Sequence, residues 1–268
     1  MKKLLGGMSL NGHARQEMSG GITPPKAGYI QVPRARPWSV SSMILAIDGP
    51  AGAGKSTVAK LLAKELGFLY IDTGAMYRAL TLKALDNKID IQDYEAVVRM
   101  ARETSLDLVN TPDGSLQVFL DGRDVSAQIR QPRITQFVSD VAKIKGVREV
   151  MVVLQRKLGC RRDSVLDGRD IGTVVFPDAD RKFYLDADFK ERTKRRYQEL
   201  VELGQSVTPQ DVAADLHNRD TIDSTREVAP LRKADDAIYV DTTNMSIKEV
   251  VEFLLRHIRT KNGTITHP

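Results

Sequence analysis

One short run constrains this chain more than any other. Gly49-Pro50-Ala51-Gly52-Ala53-Gly54-Lys55-Ser56 matches the phosphate-binding pattern G-x-x-x-x-G-K-[ST] in full. It follows Ile44-Leu45-Ala46-Ile47, an apolar run of the kind that makes a buried parallel strand. It opens a stretch from Ser56 to Leu66 with helical spacing, with Val58, Leu61, Leu62 and Leu66 on one side. The chemistry requires these residue types. Glycines let successive backbone N–H groups turn inward and form an anion nest, and the following helix adds its positive end. A lysine at the position of Lys55 reaches the β- and γ-phosphates, and a hydroxyl at Ser56 can ligate Mg²⁺. The expected nucleotide-phosphate site is therefore Gly49, Pro50, Ala51, Gly52, Ala53, Gly54, Lys55, Ser56 and Thr57.

The texture downstream agrees with a strand–helix rhythm. Phe68 to Ile71 reads as a strand and Ala75 to Leu85 as a helix. Strands are expected again at Ser164–Asp167, Lys182–Leu185 and Ala237–Val240, with a charged helix from about Lys190 to Leu203. Thr208-Pro209 is a helix start, and Ser246-Ile247-Lys248-Glu249 is a capping box. The box opens a helix whose buried face is expected at Ile247, Val250, Val251, Leu254 and Ile258. Such alternation predicts an α/β domain with a parallel sheet. Residues 104–130 break the rhythm. Leu106–Val109 and Leu116–Leu120 are strand-like around the turn Thr111-Pro112-Asp113-Gly114, which predicts a small antiparallel insert. Ile134 to Leu158 is helical, with a break expected at Gly146.

Charge narrows the partners. The chain of 268 residues carries a formal +5, and all of it resides in the first 42. There Lys2, Lys3, Arg15, Lys26, Arg34 and Arg36 face Glu17 alone, while the remainder balances. The body is thus no electrostatic footprint for nucleic acid. Residues 1–42, punctuated by glycine and proline, are expected to be a disordered or dispensable extension, and 261–268 a polar tail. A single cysteine, Cys160, excludes a disulfide framework and reads as a small residue at a helix end. No apolar run approaches the roughly 18 residues of a membrane span, so no membrane partner and a cytoplasmic location are expected.

A phosphate loop alone leaves three classes open: a GTPase switch, a nucleic-acid-dependent ATPase and a small-molecule kinase. Asn87-Lys88-Ile89-Asp90 mimics the guanine-reading pattern N-K-x-D. It falls at the end of the second helix rather than after a later strand, and no D-x-x-G switch motif occurs, so it reads as a helix-ending turn. Asp121-Gly122-Arg123-Asp124 resembles Asp167-Gly168-Arg169-Asp170 but reads as a hairpin turn in the insert. Arginines suit a phosphate acceptor, because a planar guanidinium grips two oxygens at once. Arg78, Arg169, Arg219 and Arg226 are available, and Arg219, Asp223 and Arg226 are spaced to share one helical face. On an arbitrary helix that spacing would be an exposed ion-pair ladder.

Two further segments decide between the classes. Phe68-Leu69-Tyr70-Ile71-Asp72-Thr73-Gly74-Ala75-Met76-Tyr77-Arg78 and Val165-Leu166-Asp167-Gly168-Arg169-Asp170-Ile171-Gly172-Thr173-Val174-Val175-Phe176-Pro177, with the phosphate loop, resemble the bacterial-type cytidylate kinases. These belong to the nucleoside monophosphate kinases. The likeness spans Met43 to about Arg259 and includes Asn218-Arg219-Asp220 and Arg226-Glu227-Val228-Ala229-Pro230-Leu231. It implies a P-loop nucleoside monophosphate kinase domain over 43–260, built on a parallel five-stranded sheet flanked by helices. The small antiparallel NMP-binding insert would lie at about 104–140 and a short helical lid at about 188–206. It further implies phosphoryl transfer from ATP to CMP or dCMP by a monomer.

By the same resemblance, Arg78, Arg169 and Arg226 would hold the acceptor phosphate, with Thr73 in the same pocket. Arg219 and Asp223 would contact the ribose. Ser139, Arg148 and Asp170 would read cytosine, whose N4 amino group suits a carboxylate and whose N3 and O2 suit an arginine. Uracil would mismatch both contacts. Arg192, Arg195 and Arg196, on one face of the charged helix, would supply lid arginines over the transferring group. Mg²⁺ is expected on Ser56, with Asp167 or Asp48 reaching it through water. The acceptor phosphate ionises with a second pKa of about 6, so no general base is expected. Kinases for AMP, UMP or shikimate, and an ATP-dependent RNA switch using the basic extension, are the competing readings.

Overall fold

The computed structural model describes residues 42–111 and 114–259. The expectations for residues 1–41, for Pro112 and Asp113, and for 260–268 lie outside it. Five parallel strands form the main sheet: β1 (Ile44–Asp48), β2 (Leu69–Asp72), β6 (Ser164–Gly168), β7 (Arg181–Asp186) and β8 (Ile238–Asp241). Their spatial order is β2-β6-β1-β7-β8, so β1 is central. Register sets Asp48 beside Gly168 and Asp72 beside Asp167, which brings these carboxyl ends together along one edge. In open parallel sheets the crevice outside that edge, where the strand order reverses, is where ligands bind.

Alternate residues of these strands face two layers. Leu45, Ile47, Tyr70, Val165, Phe183, Leu185 and Val240 pack with α1 (Lys55–Leu66) and α8 (Ile247–Arg259). Ala46, Ile71 and Leu166, equally buried, face the opposite way, and Leu166 meets α5 (Lys145–Gly159) at Gly159. Truncating a fully buried anchor such as Leu62 or Leu254 to alanine costs about 2–5 kcal/mol. Two expected core positions differ. Leu61 is 39% exposed and Ile247 is 51% exposed. Ile247 occupies the first turn of α8, before the helix has turned its stripe onto the sheet. Its neighbours Val250, Val251, Leu254 and Ile258 are buried as expected.

Local chemistry explains the helix starts. Asp72 caps α2 (Thr73–Asp86) by accepting from Ala75 N–H at 2.8 Å. The reciprocal capping boxes Thr208–Asp211 and Ser246–Glu249 open α7 (Pro209–Thr225) and α8. The turn after α2 at Asn87-Lys88 is as expected, with Lys88 in left-handed backbone (φ 55°), and Cys160 caps α5.

The insert is a three-stranded antiparallel sheet, β3 (Leu106–Asn110), β4 (Leu116–Leu120) and β5 (Arg123–Asp124). Asp121-Gly122 forms the β4–β5 hairpin turn, both at positive φ, so this copy of the D-G-R-D motif is structural. A helix absent from the sequence expectation, α3 (Tyr94–Arg102), precedes the insert with Asp93 as its cap. The long helical stretch is broken, but at Ile144 rather than Gly146. Ile144 (φ −68°, ψ 117°) separates α4 (Pro132–Lys143) from α5. Gly146 lies inside α5, where a Cβ would stand 2.7 Å from Val98 Cγ2, so glycine there permits α3 and α5 to approach. The charged helix expected near the lid is α6 (Phe189–Glu202).

Candidate active site

The loop from Gly49 to Gly54 joins the end of central β1 to α1. Gly49, Gly52 and Gly54 all take positive φ (146°, 78° and 83°), a path that side chains resist. At Gly49 a Cβ would lie 1.9 Å from Leu185 O, so the loop leaves the sheet through a gap only glycine fits. Lys55 is buried and folds back to donate to Pro50 O at 2.7 Å, while Ser56 and Thr57 are exposed at the start of α1.

Ser56 Oγ donates to Asp167 Oδ2 at 2.7 Å, and Tyr70 Oη donates to Asp167 Oδ1 at 3.1 Å. Burial, with Asp72 nearby, pushes the Asp167 carboxyl up, and burial followed by the Arg169 charge pulls the Lys55 ammonium down. Asp48 is spent differently. Its two oxygens accept from Ile171 N–H (2.8 Å) and Gly172 N–H (2.7 Å), and burial raises its carboxyl to about 6. Those bonds hold a single π-helical turn, Ile171–Val175, directly after Arg169 and Asp170.

The second half of the site is a cluster of arginines. Arg148 Nη2 donates to Asp170 Oδ2 at 2.5 Å, with both side chains buried, and the Arg148 guanidinium lies 5.5 Å from the Tyr77 ring. Arg169 Nε donates to Asp223 Oδ2 at 2.7 Å. Arg226 Nη1 donates to Asp223 Oδ1 at 3.3 Å, and its Nη2 stands 3.7 Å from Asp170 Oδ1. Arg226 lies one residue past α7 in extended backbone, not on the helical face with Arg219 and Asp223, yet its guanidinium returns to the same cluster. Ser139 is buried on α4. Thr73 Oγ1 donates to Asp167 O at 2.7 Å, and Arg78 Nη1 donates to Thr135 Oγ1 at 2.8 Å.

Cations outnumber anions here. Burial would raise Asp223, but Arg169 and Arg226 outweigh it and hold the carboxyl below its usual value. Burial and then Arg219 pull Arg78 down to about 10, and burial and then Arg169 pull Arg219 down. Arg148 Nε, Arg196 Nε, Arg219 Nε and Arg226 Nη2 are buried with no hydrogen-bond partner. Buried donors left so are costly, and the repulsion among these charges adds to that cost. A bound polyanion relieves both.

The three arginines expected at a lid divide. Arg192 is buried on Ala51 O, Ala187 O and Asp220, and Arg195 is tied to Glu191 and to Thr242. Arg196 pairs with Glu199 but keeps its Nε unpartnered. Three side chains that sequence reasoning passed over belong to this neighbourhood: Tyr70 on Asp167, Tyr77 under Arg148, and Asp220 between Arg192 and Ala51. All three lie inside the segments that carry the resemblance, so position alone pointed to them. Among the described residues no helix is long and apolar enough to cross a membrane.

The family model described as cytidylate kinase matches residues 45–260 of this chain. A protein named cytidylate kinase from Caldanaerobacter subterraneus subsp. tengcongensis is 53% identical over 215 residues, covering 80% of this chain and 94% of its own. The cytidylate kinase of Clostridioides difficile is 48% identical over 219 residues, covering 82% and 99%. That of Carboxydothermus hydrogenoformans is 46% identical over 223 residues, covering 83% and 100%.

Proposed function

The chain belongs to the cytidylate kinase family, and from that premise we propose that it transfers the γ-phosphoryl group of ATP to CMP or dCMP, using the residues assembled around the glycine loop. One observation supports the reading most. Buried guanidinium donors without hydrogen-bond partners, at Arg148, Arg219 and Arg226, gather beside a phosphate loop whose lysine is itself buried. An excess of buried positive charge next to an anion nest is the preparation that two nucleotide phosphate chains require.

In this reading residues Gly49 to Thr57 cradle the ATP phosphates, and Lys55 swings from Pro50 O to neutralise the transferring group. Arg78, Arg169 and Arg226 hold the acceptor phosphate, and Arg219 and Asp223 hold the ribose. The buried Arg148–Asp170 pair, with Ser139, reads the cytosine edge. Thr73 steadies the pocket through its bond to Asp167 O. Arg196 is the lid arginine with a donor to spare, whereas Arg192 and Arg195 fasten the base of α6. The acceptor phosphate is the nucleophile and is ionised at neutral pH, so catalysis is positioning and charge stabilisation. The insert and α6 close over the two nucleotides and keep water from accepting the phosphoryl group.

The donor set fits Mg²⁺. Ser56 and Asp167 present a hydroxyl and a carboxylate 2.7 Å apart, and no cluster of three or more His, Cys, Asp or Glu among the described residues would cage a metal unaided. Mg²⁺ prefers such a sparse oxygen set completed by phosphates and water. When bound it would offset charge on the β- and γ-phosphates. Ser56 and Asp167 would hold it, while Asp48 is occupied by Ile171 and Gly172.

The deciding experiment is coupled ADP release with ATP–Mg²⁺ and CMP, dCMP, UMP, AMP, GMP or shikimate as acceptor. Turnover led by CMP and dCMP is expected. Turnover led by another acceptor would keep the phosphate loop and discard Ser139, Arg148 and Asp170 as cytosine readers. No turnover, with salt-sensitive RNA binding lost on removing residues 1–42, would favour the switch.

A further inference from the structure

Asp220 is the carboxylate at which three parts of the molecule meet. Its Oδ1 accepts from Ala51 N–H in the phosphate loop at 3.3 Å, and its Oδ2 accepts from Arg192 Nη1 at the base of α6 at 2.5 Å. Arg192 is 8% exposed and committed to the same junction. Its Nη1 also donates to Ala51 O at 3.0 Å, and its guanidinium stands 5.3 Å from the Phe189 ring. The Arg192 backbone closes on the loop as well, since a Cβ on Gly52 would lie 3.0 Å from Arg192 O. Asp220 itself rides on α7 between Arg219 and Asp223, the residues assigned above to the acceptor ribose.

We propose that Asp220 is a positioning residue that sets the distance between the ATP loop and the acceptor helix, so that donor and acceptor phosphates meet in register. The inference rests on the kinase reading. A carboxylate bonded through both oxygens, one of them charge-assisted, fixes its partners in distance and in orientation. Neither nucleotide alone needs that register; each touches one side of the junction. Transfer needs it, because misplacement by about 1 Å costs on the order of 100-fold in rate.

The test uses a ligand that spans both sites: adenosine and cytidine joined 5′ to 5′ through a pentaphosphate. Its Kd is measured calorimetrically beside those of ATP alone and CMP alone, for the full chain and for Asp220→Ala and Asp220→Asn. The expected result for Asp220→Ala is a loss of about 30-fold for the spanning ligand and in kcat, with ATP alone and CMP alone within about 3-fold. Asp220→Asn, which keeps an acceptor oxygen but loses the charge, falls between, and it carries the test if the alanine variant does not fold. An unchanged Kd for the spanning ligand overturns the proposal. So does a loss matched by ATP alone or CMP alone, which would make Asp220 part of one half-site. If the unaltered chain binds the spanning ligand no more tightly than ATP, the kinase reading beneath the proposal fails instead.

Discussion

Ser56 Oγ and Asp167 Oδ2 stand 2.7 Å apart, joining the first turn of α1 to the end of β6 across the mouth of the phosphate loop. Tyr70 takes the other oxygen of Asp167, and Asn110 in turn clamps the Tyr70 peptide at both its N–H and its C=O. The insert is thereby hydrogen-bonded to the strand that supports the expected metal-side carboxylate. Asp167→Asn keeps the shape and removes the charge. We expect kcat to fall by about 100-fold or more, with a raised Mg²⁺ requirement, in a titration of Mg²⁺ at fixed ATP. A variant with an unchanged Mg²⁺ profile would remove Asp167 from that role.

Lys55→Ala separates chemistry from folding. The lysine is buried and its ammonium is held down by burial and by Arg169, so its removal relieves a strained charge. We expect phosphoryl transfer to fall by about 1000-fold or more, since charge stabilisation is the dominant catalytic term. The thermal midpoint should stay within about 5 °C, as relief of the burial cost of that charge offsets the lost bond to Pro50 O. Activity and a melting curve on the same preparation check both halves.

Asp170→Asn tests base selection. Asp170 sits between Arg148 and Arg226, where an amide cannot accept from both and from an exocyclic amine. The ratio of kcat/KM for CMP over UMP should drop by about 10- to 100-fold, mostly through the CMP value. Paired assays with the two acceptors measure it, and a constant ratio would show that Asp170 does not touch the base.

Asp48 predicts a pH signature in stability. Its folded carboxyl is raised to about 6 by burial, against an ordinary value near 3.8. The folded state therefore holds the proton more tightly than the unfolded one. The contribution is full below about pH 4 and is lost as pH rises through about 6, a change of up to about 3 kcal/mol. Urea unfolding of the unaltered chain and of Asp48→Asn, at pH 4.5 and 7.5, should show the difference shifting in favour of the unaltered chain at the lower pH. A difference independent of pH would mean that Asp48 keeps an ordinary carboxyl.

Local signals carried the sequence reading a long way. The glycine loop, the helix start at Thr208-Pro209, the capping box at Ser246 and the hairpin at Asp121-Gly122 are each specified within a few residues, and all stand in the structure. They are legible because their hydrogen bonds close between neighbours in the chain. The helix break was misread because Gly146 has a tertiary cause, the approach of Val98, and not a local one. Leu61 and Ile247 were misread because spacing defines a stripe but not how far it extends onto the sheet. The helix Tyr94–Arg102 went unnoticed although its Asp93 cap was local.

The residue types needed to hold phosphates and a nucleotide, and the parallel α/β frame that carries them, were determined by the sequence alone. Only the tertiary structure decided which carboxylate meets Ser56, which of the α6 arginines retains a spare donor, and that Asp220 joins α7 to the loop. The physical reason is separation along the chain. Asp48 and Asp167 end adjacent strands in the same way, so their local sequence cannot rank them. Their partners, Ile171 and Gly172 for one and Ser56 and Tyr70 for the other, are brought in by strand order and register across more than a hundred residues in three of the four bonds.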